Sequence, residues 1–389
     1  MSTINTDNNF TDILHFIRST FNQPEEFIPL HAPYFGGNEK KYVLDTIEST
    51  FVSSVGAYVN KFEEMMQEVT GAKFAIATTN GTVALHLALI VAGVKPGDLV
   101  ITQSLTFAAT ANAIKHAGAD PLFIDVDKDT MGLSPNAVAT WLTENSYTKN
   151  DVTFSKQTNQ RIAACVPMHT FGFPLRIQEL ASLCKQYNIS LVEDAAESLG
   201  SYVGNQHTGT FGDLGIFSFN GNKTITSGGG GALITNNDEL GKLAKHLSTT
   251  AKMPHAYEFK HDMVGFNYRM PNLNAALACA QLEQLEKMIE NKRELANKYQ
   301  QFFTNRNQEQ FVTEADGTTA NYWLNTIIFN NLQDQQAFLQ YSNANKVMTR
   351  PIWQLMNKLP MYQDCISGPL PNATWLEERV VNIPSSYRP

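Results

Sequence analysis

Phe217-Ser218-Phe219-Asn220-Gly221-Asn222-Lys223, followed by Ser227-Gly228-Gly229-Gly230-Gly231, is the stretch that decides how this chain is read. Its apolar start has the aromatic character of a short buried strand, and it delivers a lysine into a polar, glycine-rich turn. The glycines beyond Ser227 remove side chains where another backbone or a ligand must come close. Upstream, a second apolar stretch ends at Val192-Glu193-Asp194, so a carboxylate stands where a strand stops. In open α/β sheets the carboxyl ends of strands are where ligands collect.

The surrounding pattern agrees. From Lys73 the chain alternates strand and helix: strands are predicted at 74–77, 99–102, 121–125, 162–166 and 190–192, with helices at 81–92, 108–116 and 177–187 between them. That rhythm predicts α/β layering with a largely parallel sheet, which residues 217, 219 and 232–235 complete. Residues 149–160 read as a polar insertion. Near the N-terminus Phe10, Ile13, Leu14, Ile17 and Phe21 recur at helical spacing, predicting a peripheral helix that Pro24 ends. Helical stripes also fall at Val43-Ile47-Phe51 and over 59–69. Beyond Pro271 the span 273–302 reads as helix and 323–329 as a strand. The division expected is an N-terminal helical segment (1–38), a large domain (39–260) and a small C-terminal domain (261–389), which suits a chain of 389 residues.

Composition narrows the function classes. With 17% charged and 43% apolar residues the chain has ample material for a core. A net charge of −8 without a basic run argues against a nucleic-acid grip, which needs clustered Lys and Arg. Cys165, Cys184, Cys279 and Cys365 form no Cys-x-x-Cys pair, so neither a zinc site nor a disulfide framework is indicated. No apolar run approaches the ~20 residues that span a bilayer, and the first residues lack a basic region. A cytoplasmic setting, with no membrane partner, is expected.

Alone, Asp194 reads as a cap on the turn Ala195-Ala196-Glu197, and Lys223 as a solvated surface charge. A third feature changes this. Gly81-Thr82 opens a helix directly after Thr78-Thr79-Asn80, where amides and hydroxyls at the positive helix end form either an ordinary N-cap or a phosphate seat, to which Ser218 could add a hydroxyl. An amine for an aldehyde, a carboxylate for a ring nitrogen and a seat for a phosphate are together what pyridoxal 5'-phosphate (PLP) requires. Phe107 could lie flat on an aromatic ring, although a core Phe is the commoner outcome. His169, after another strand, could face the same site or be structural. No Gly-Lys-Ser/Thr follows the glycines and no Gly-x-Gly-x-x-Gly opens a helix, so ATP and nicotinamide readings are weak.

These segments resemble the DegT/DnrJ/EryC1/StrS sugar-nucleotide aminotransferases, a branch of the fold-type I PLP enzymes, over roughly 28–274. The carriers are Thr79-Asn80-Gly81-Thr82-Val83-Ala84-Leu85, Thr106-Phe107-Ala108-Ala109-Thr110-Ala111-Asn112-Ala113-Ile114, Glu193-Asp194-Ala195-Ala196-Glu197, Gly209-Thr210-Phe211-Gly212-Asp213, Phe217-Ser218-Phe219 with Lys223, and Gly265-Phe266-Asn267-Tyr268-Arg269-Met270. The resemblance implies a three-layer αβα sandwich with a mostly parallel central sheet plus a smaller α+β C-terminal domain. It implies that Lys223 binds the cofactor aldehyde, Asp194 pairs with the ring nitrogen, Phe107 stacks on the ring and Glu197 approaches its phenolic oxygen. Gly81, Thr82 and Ser218 would hold the phosphate, and Asn267 would reach the phosphate of a neighbouring subunit's cofactor in a homodimer. His169 and Arg269 are the expected substrate contacts, Arg269 toward the nucleotide diphosphate.

One departure stands out: Gly229 occupies the place of a Glu that is usual in the family after the lysine. This, with Ile28-Pro29-Leu30-His31 and Phe51-Val52-Ser53-Ser54-Val55-Gly56, resembles the branch making 4-amino sugars for bacillosamine and legionaminic acid. The implied reaction moves an amino group from L-glutamate to the 4-keto carbon of a UDP-linked 2-acetamido-2,6-dideoxy sugar. The rivals are a pyridoxamine-dependent dehydratase, whose relatives replace the lysine with His, and a non-catalytic nucleotide-sugar-binding regulator.

Overall fold

The computed structural model describes residues 7–388. Seven strands form the main sheet: β1 (Phe74–Thr78), β2 (Leu99–Gln103), β3 (Asp120–Ile124), β4 (Ile162–Val166), β5 (Ser190–Asp194), β6 (Leu214–Ser218) and β7 (Gly231–Thr235). They lie in the order β1-β7-β6-β5-β4-β2-β3, and all run one way except β7, which pairs antiparallel with both β1 and β6. The strands are nearly continuous apolar runs because helices cover both faces. On one face Val100, Ala164, Val166, Val192, Ile216 and Leu233 pack against Gly81–Val91, Ala108–His116 and Asp238–Ser248. Side chains of opposite parity point the other way: Ala75, Ala77 and Ile234 meet Phe62, Met66 and Ala275, while Leu99, Ile101 and Leu122 meet Val138, Leu180 and Cys184. The result is the three-layer αβα sandwich expected. Among the described residues no helix is long and apolar enough to cross a membrane.

A second core forms around the antiparallel sheet β8 (Glu309–Phe311), β9 (Asn325–Phe329), β10 (Arg350–Pro351) and β11 (Val380–Ile383), ordered β8-β9-β11-β10. The helix Asp7–Phe21 belongs to this core rather than to the periphery: Phe10, Ile13, Leu14 and Ile17 are buried against Phe329, Phe338 and Val381. Its stripe at i, i+3, i+4 and i+7 is the face it buries.

Two local expectations need correcting. The insertion at 149–160 contains a hairpin, Ser146–Lys149 with Val152–Ser155, turned by Asn150 and Asp151 at φ 51° and 59°. Asn and Asp tolerate this left-handed conformation, which a two-residue type I′ turn demands at both positions. The helix expected over 273–302 is two, Asn272–Leu282 and Leu285–Phe303, parted at Gln284 (φ −113°, ψ 4°), whose side-chain amide donates to Glu39 Oε1.

Candidate active site

The carboxyl ends of β1, β2, β4, β5 and β6 open onto one cavity of about 300 Å³. Asn80, Gly81 and Thr82 enter it after β1, Phe107 and Thr110 after β2, Met168 after β4, Asp194 and Glu197 from β5, and Ser218 and Lys223 from β6. From the second core come Trp323 and Trp353. Lys223 and Asp194 thus line one space, as a shared cofactor requires.

The electrostatics of the floor come from burial. Asp194 is 4% exposed; its Oδ2 accepts from Thr110 Oγ1 at 2.8 Å and its Oδ1 from the Ala196 amide at 3.2 Å. Burial raises its pKa above the ordinary carboxylate value, because neutral donors offset only part of the cost of a desolvated charge. A protonated pyridine nitrogen is the kind of partner that would restore the ionised form. Glu197 is raised for the same reason; its Oε1 accepts from Lys223 Nζ at 3.1 Å and its Oε2 from the Phe171 amide at 2.8 Å. Lys223 Nζ also lies 3.9 Å from the centroid of the Trp323 ring, a cation–π contact.

The phosphate seat has the expected form. Asn80 caps the helix Gly81–Val91 by accepting from the Val83 amide, leaving the first amides at the positive helix end facing the cavity. A Cβ at Gly81 would meet Ser218 Cβ at 2.8 Å, so the turn and the Ser218 hydroxyl approach this closely only because residue 81 has no side chain. The donor set therefore fits PLP: an amine, a buried carboxylate and a helix N-terminus with two hydroxyls.

Behind Asp194, the fully buried Glu193 explains why two sequence motifs occur together. Its Oε1 accepts from the amides of Phe211 (2.6 Å) and Gly212 (2.7 Å), and its Oε2 from the Gly209 amide (2.7 Å) and His169 Nε2–H (3.0 Å). The carboxylate pins the 209–213 turn to the end of β5. Glu193→Ala strands these donors, and we expect a loss of about 3–5 kcal/mol, seen as a lower thermal midpoint for the cofactor-free protein. An unchanged midpoint would show that water replaces the carboxylate at no cost.

His169 is where the structure departs from the sequence expectation. It is fully buried, its Nδ1 accepts from the Leu175 amide at 3.3 Å and its Nε2 is spent on Glu193, so neither nitrogen is free for substrate. Alternation along the extended chain after β4 turns Met168, not His169, toward the cavity. Asn267 and Arg269 also lie outside the cavity lining, Arg269 Nε donating to Asn267 Oδ1 at 2.8 Å. Their loop is tied to the phosphate seat through the Thr79 amide on Tyr268 O. Phe107 is 52% exposed at the rim. No role for Thr110, Trp323 or Trp353 follows from the sequence. Thr110 lay inside a motif already quoted, whereas nothing in the spacing joins two distant tryptophans to Lys223.

Residues 33–388 match the DegT/DnrJ/EryC1/StrS aminotransferase family. The chain is 35% identical over 360 residues to GDP-perosamine synthase of Escherichia coli O157:H7, covering 92% of this chain and 93% of that protein. It is 35% identical over 363 residues to GDP-perosamine synthase of Vibrio cholerae, covering 92% and 94%. Among solved structures, the aminotransferase TlmJ from Streptoalloteichus hindustanus superposes with a TM-score of 0.83 at 26% identity, covering 92% of this chain and 93% of that one. The chain accordingly belongs to the DegT/DnrJ/EryC1/StrS family of PLP-dependent sugar aminotransferases.

Proposed function

We propose that this protein transfers the amino group of L-glutamate to the C4 keto carbon of a nucleotide-linked 6-deoxy sugar. The observation that carries the reading is the meeting of Lys223, Asp194 and the N-terminus of Gly81–Val91 in one cavity. Bound PLP supplies an aldehyde that accepts the amino group and a ring that withdraws electrons from the carbon losing its proton. Lys223 would hold the aldehyde, and its amine is the group that would carry the proton of the substrate carbon. Asp194 would keep the ring nitrogen protonated, Phe107 would cover the ring, and Gly81, Thr82 and Ser218 would hold the phosphate. Glu197, hydrogen-bonded to Lys223 Nζ, orients the amine and would approach the ring's phenolic oxygen. Glutamate leaves as 2-oxoglutarate before the keto sugar enters, so both substrates use the same residues in turn.

The carrier nucleotide has two candidates. The sequence resemblance favours a UDP-linked 2-acetamido-2,6-dideoxy-4-keto sugar, and Gly229 supports a site with room. It lines the cavity, and an added Cβ there would meet only the Thr79 carbonyl oxygen, at 3.9 Å. The relatives named GDP-perosamine synthase favour a GDP-linked sugar instead. Incubation with glutamate and a panel of UDP- and GDP-linked 4-keto sugars, with products read by mass, decides between them. Absence of an aminated product from every member of the panel would overturn the reading.

A cavity of about 300 Å³ is at the small end for ligand pockets, so a nucleotide sugar must extend past its mouth. We propose that a second copy completes the site with Asn267 and Arg269. Support comes from exposed apolar side chains, among them Phe51, Val55, Tyr257 and Val264 at 57%, 64%, 81% and 91%, which an isolated chain rarely leaves in water. Mixed dimers test this. Co-refolding Lys223→Ala with Asn267→Ala should restore about a quarter of wild-type activity, since half the dimers are hybrids with one intact site. No restoration would mean that each chain's site is self-contained.

A further inference from the structure

Lys292, on the helix Leu285–Phe303, is 1% exposed, yet among the described residues the partners of its amine are backbone carbonyls and not carboxylates. Its Nζ donates to three backbone carbonyls instead: Ser385 at 2.7 Å, Trp323 at 3.0 Å and, more weakly, Tyr322 at 3.5 Å. A buried amine held this way costs stability unless its donors are all used. Burial pushes it down to about 7; the ammonium can donate to all three oxygens and the neutral amine to two of them.

What it grips is a strained turn at the edge of the active site. Tyr322 has φ 49°, a left-handed conformation unfavourable for a bulky residue and stable only where the surroundings enforce it. Asn321, just before it, donates to Glu197 O and Leu199 O, both at 2.9 Å, and accepts from the Trp323 amide at 2.8 Å. Trp323 then donates its indole N–H to Asn222 O at 2.6 Å and lays its ring under Lys223 Nζ. The far side is closed by the N-terminal strap, where the Ser385 amide donates to Leu30 O and the Ala32 amide to Ser386 Oγ. Lys292 thus joins the second core to the lysine loop of the first.

We propose that Lys292 is a positioning residue for Lys223: by fixing the Tyr322–Trp323 turn it sets the indole face on which the reactive nitrogen rests. The inference depends on Lys223 being the cofactor's partner. An indole face stabilises a cationic nitrogen, so loosening it makes that nitrogen give up its proton more readily.

Lys292→Met and Lys292→Gln, each reconstituted with PLP, are titrated by the visible absorbance band of the lysine-bound cofactor. The pH midpoint of that band should fall by about half a unit or more. Turnover should drop about 10- to 100-fold with KM for glutamate within twofold, as expected when a catalytic group is displaced while substrate binding is kept. Trp323→Leu, which keeps the carbonyl clamp and removes the ring, should lower the midpoint similarly, and the double variant should add no further shift. An unmoved midpoint in the folded Lys292 variants or in Trp323→Leu, additive shifts, or failure of both Lys292 variants to fold would each overturn the positioning role. Wild type without a visible band would instead refute the cofactor assignment itself.

Discussion

Lys223→Ala is expected to reduce transamination by more than about 10³-fold, because in the proposed reaction one side chain would perform both covalent capture and proton transfer, and a positioned acid–base group alone contributes about 10²–10⁴. Among the described residues lining the cavity, Lys223 is the one Lys, Arg or His, so no second amine can take over the covalent capture. Lys223→Arg should be equally inactive, since a guanidinium stays charged and is no nucleophile. Cofactor binding should survive better than turnover. The phosphate seat, Asp194 and Phe107 are untouched by the change, and the variant should retain the pyridoxamine form through gel filtration, detected by absorbance and mass. Glu197 loses its cation in this variant, but burial already favours its protonated form, so it can take up a proton rather than remain as an isolated charge. Turnover above about a tenth of wild type would refute the assignment, because effects of that size are within reach of a surface lysine.

The chemistry at the floor of the site was legible in the sequence because each group sits at a strand end, and strand ends are marked by apolar runs that stop. Val192-Glu193-Asp194 and Phe217-Ser218-Phe219 read as strands from pattern alone; that β5 and β6 are adjacent and parallel is shown by the fold. The walls were not legible in this way. Trp323 and Trp353 arrive from the second core, and no local periodicity places residue 323 over residue 223. His169 was misplaced by a single step of alternation, which a one-residue uncertainty in the end of a strand is enough to invert. The helix Asp7–Phe21 was found by its stripe, but a stripe says only that a face is buried, not against what. Asn267 and Arg269 pose a third kind of problem. Their spacing is local and readable, yet they lie outside this chain's cavity lining, and the contact proposed for them is with a second copy, which no pattern within one chain can place.

Asp194→Asn separates the two roles this residue could have. As a turn cap, Asp194 Oδ1 accepts from the Ala196 amide and Oδ2 from the Thr110 hydroxyl, and an asparagine keeps the shape and one acceptor oxygen. A residue that only caps should therefore tolerate the change, with activity near wild type and a stability loss of about 1 kcal/mol or less. As the partner of a protonated ring nitrogen, Asp194 supplies a charge that asparagine lacks. Breaking a buried ion pair by neutralising one member costs about 3–5 kcal/mol, and each 1.36 kcal/mol of barrier is about tenfold in rate. Turnover of Asp194→Asn should therefore fall about 10²- to 10⁴-fold with little change in the thermal midpoint of the cofactor-free protein. The loss should appear in both half-reactions, since the ring withdraws electrons whichever substrate is bound. Single-turnover mixing with glutamate alone is the direct measurement, as it isolates proton removal from nucleotide-sugar binding. A first half-reaction within about threefold of wild type would leave Asp194 as a cap and remove the carboxylate from the mechanism.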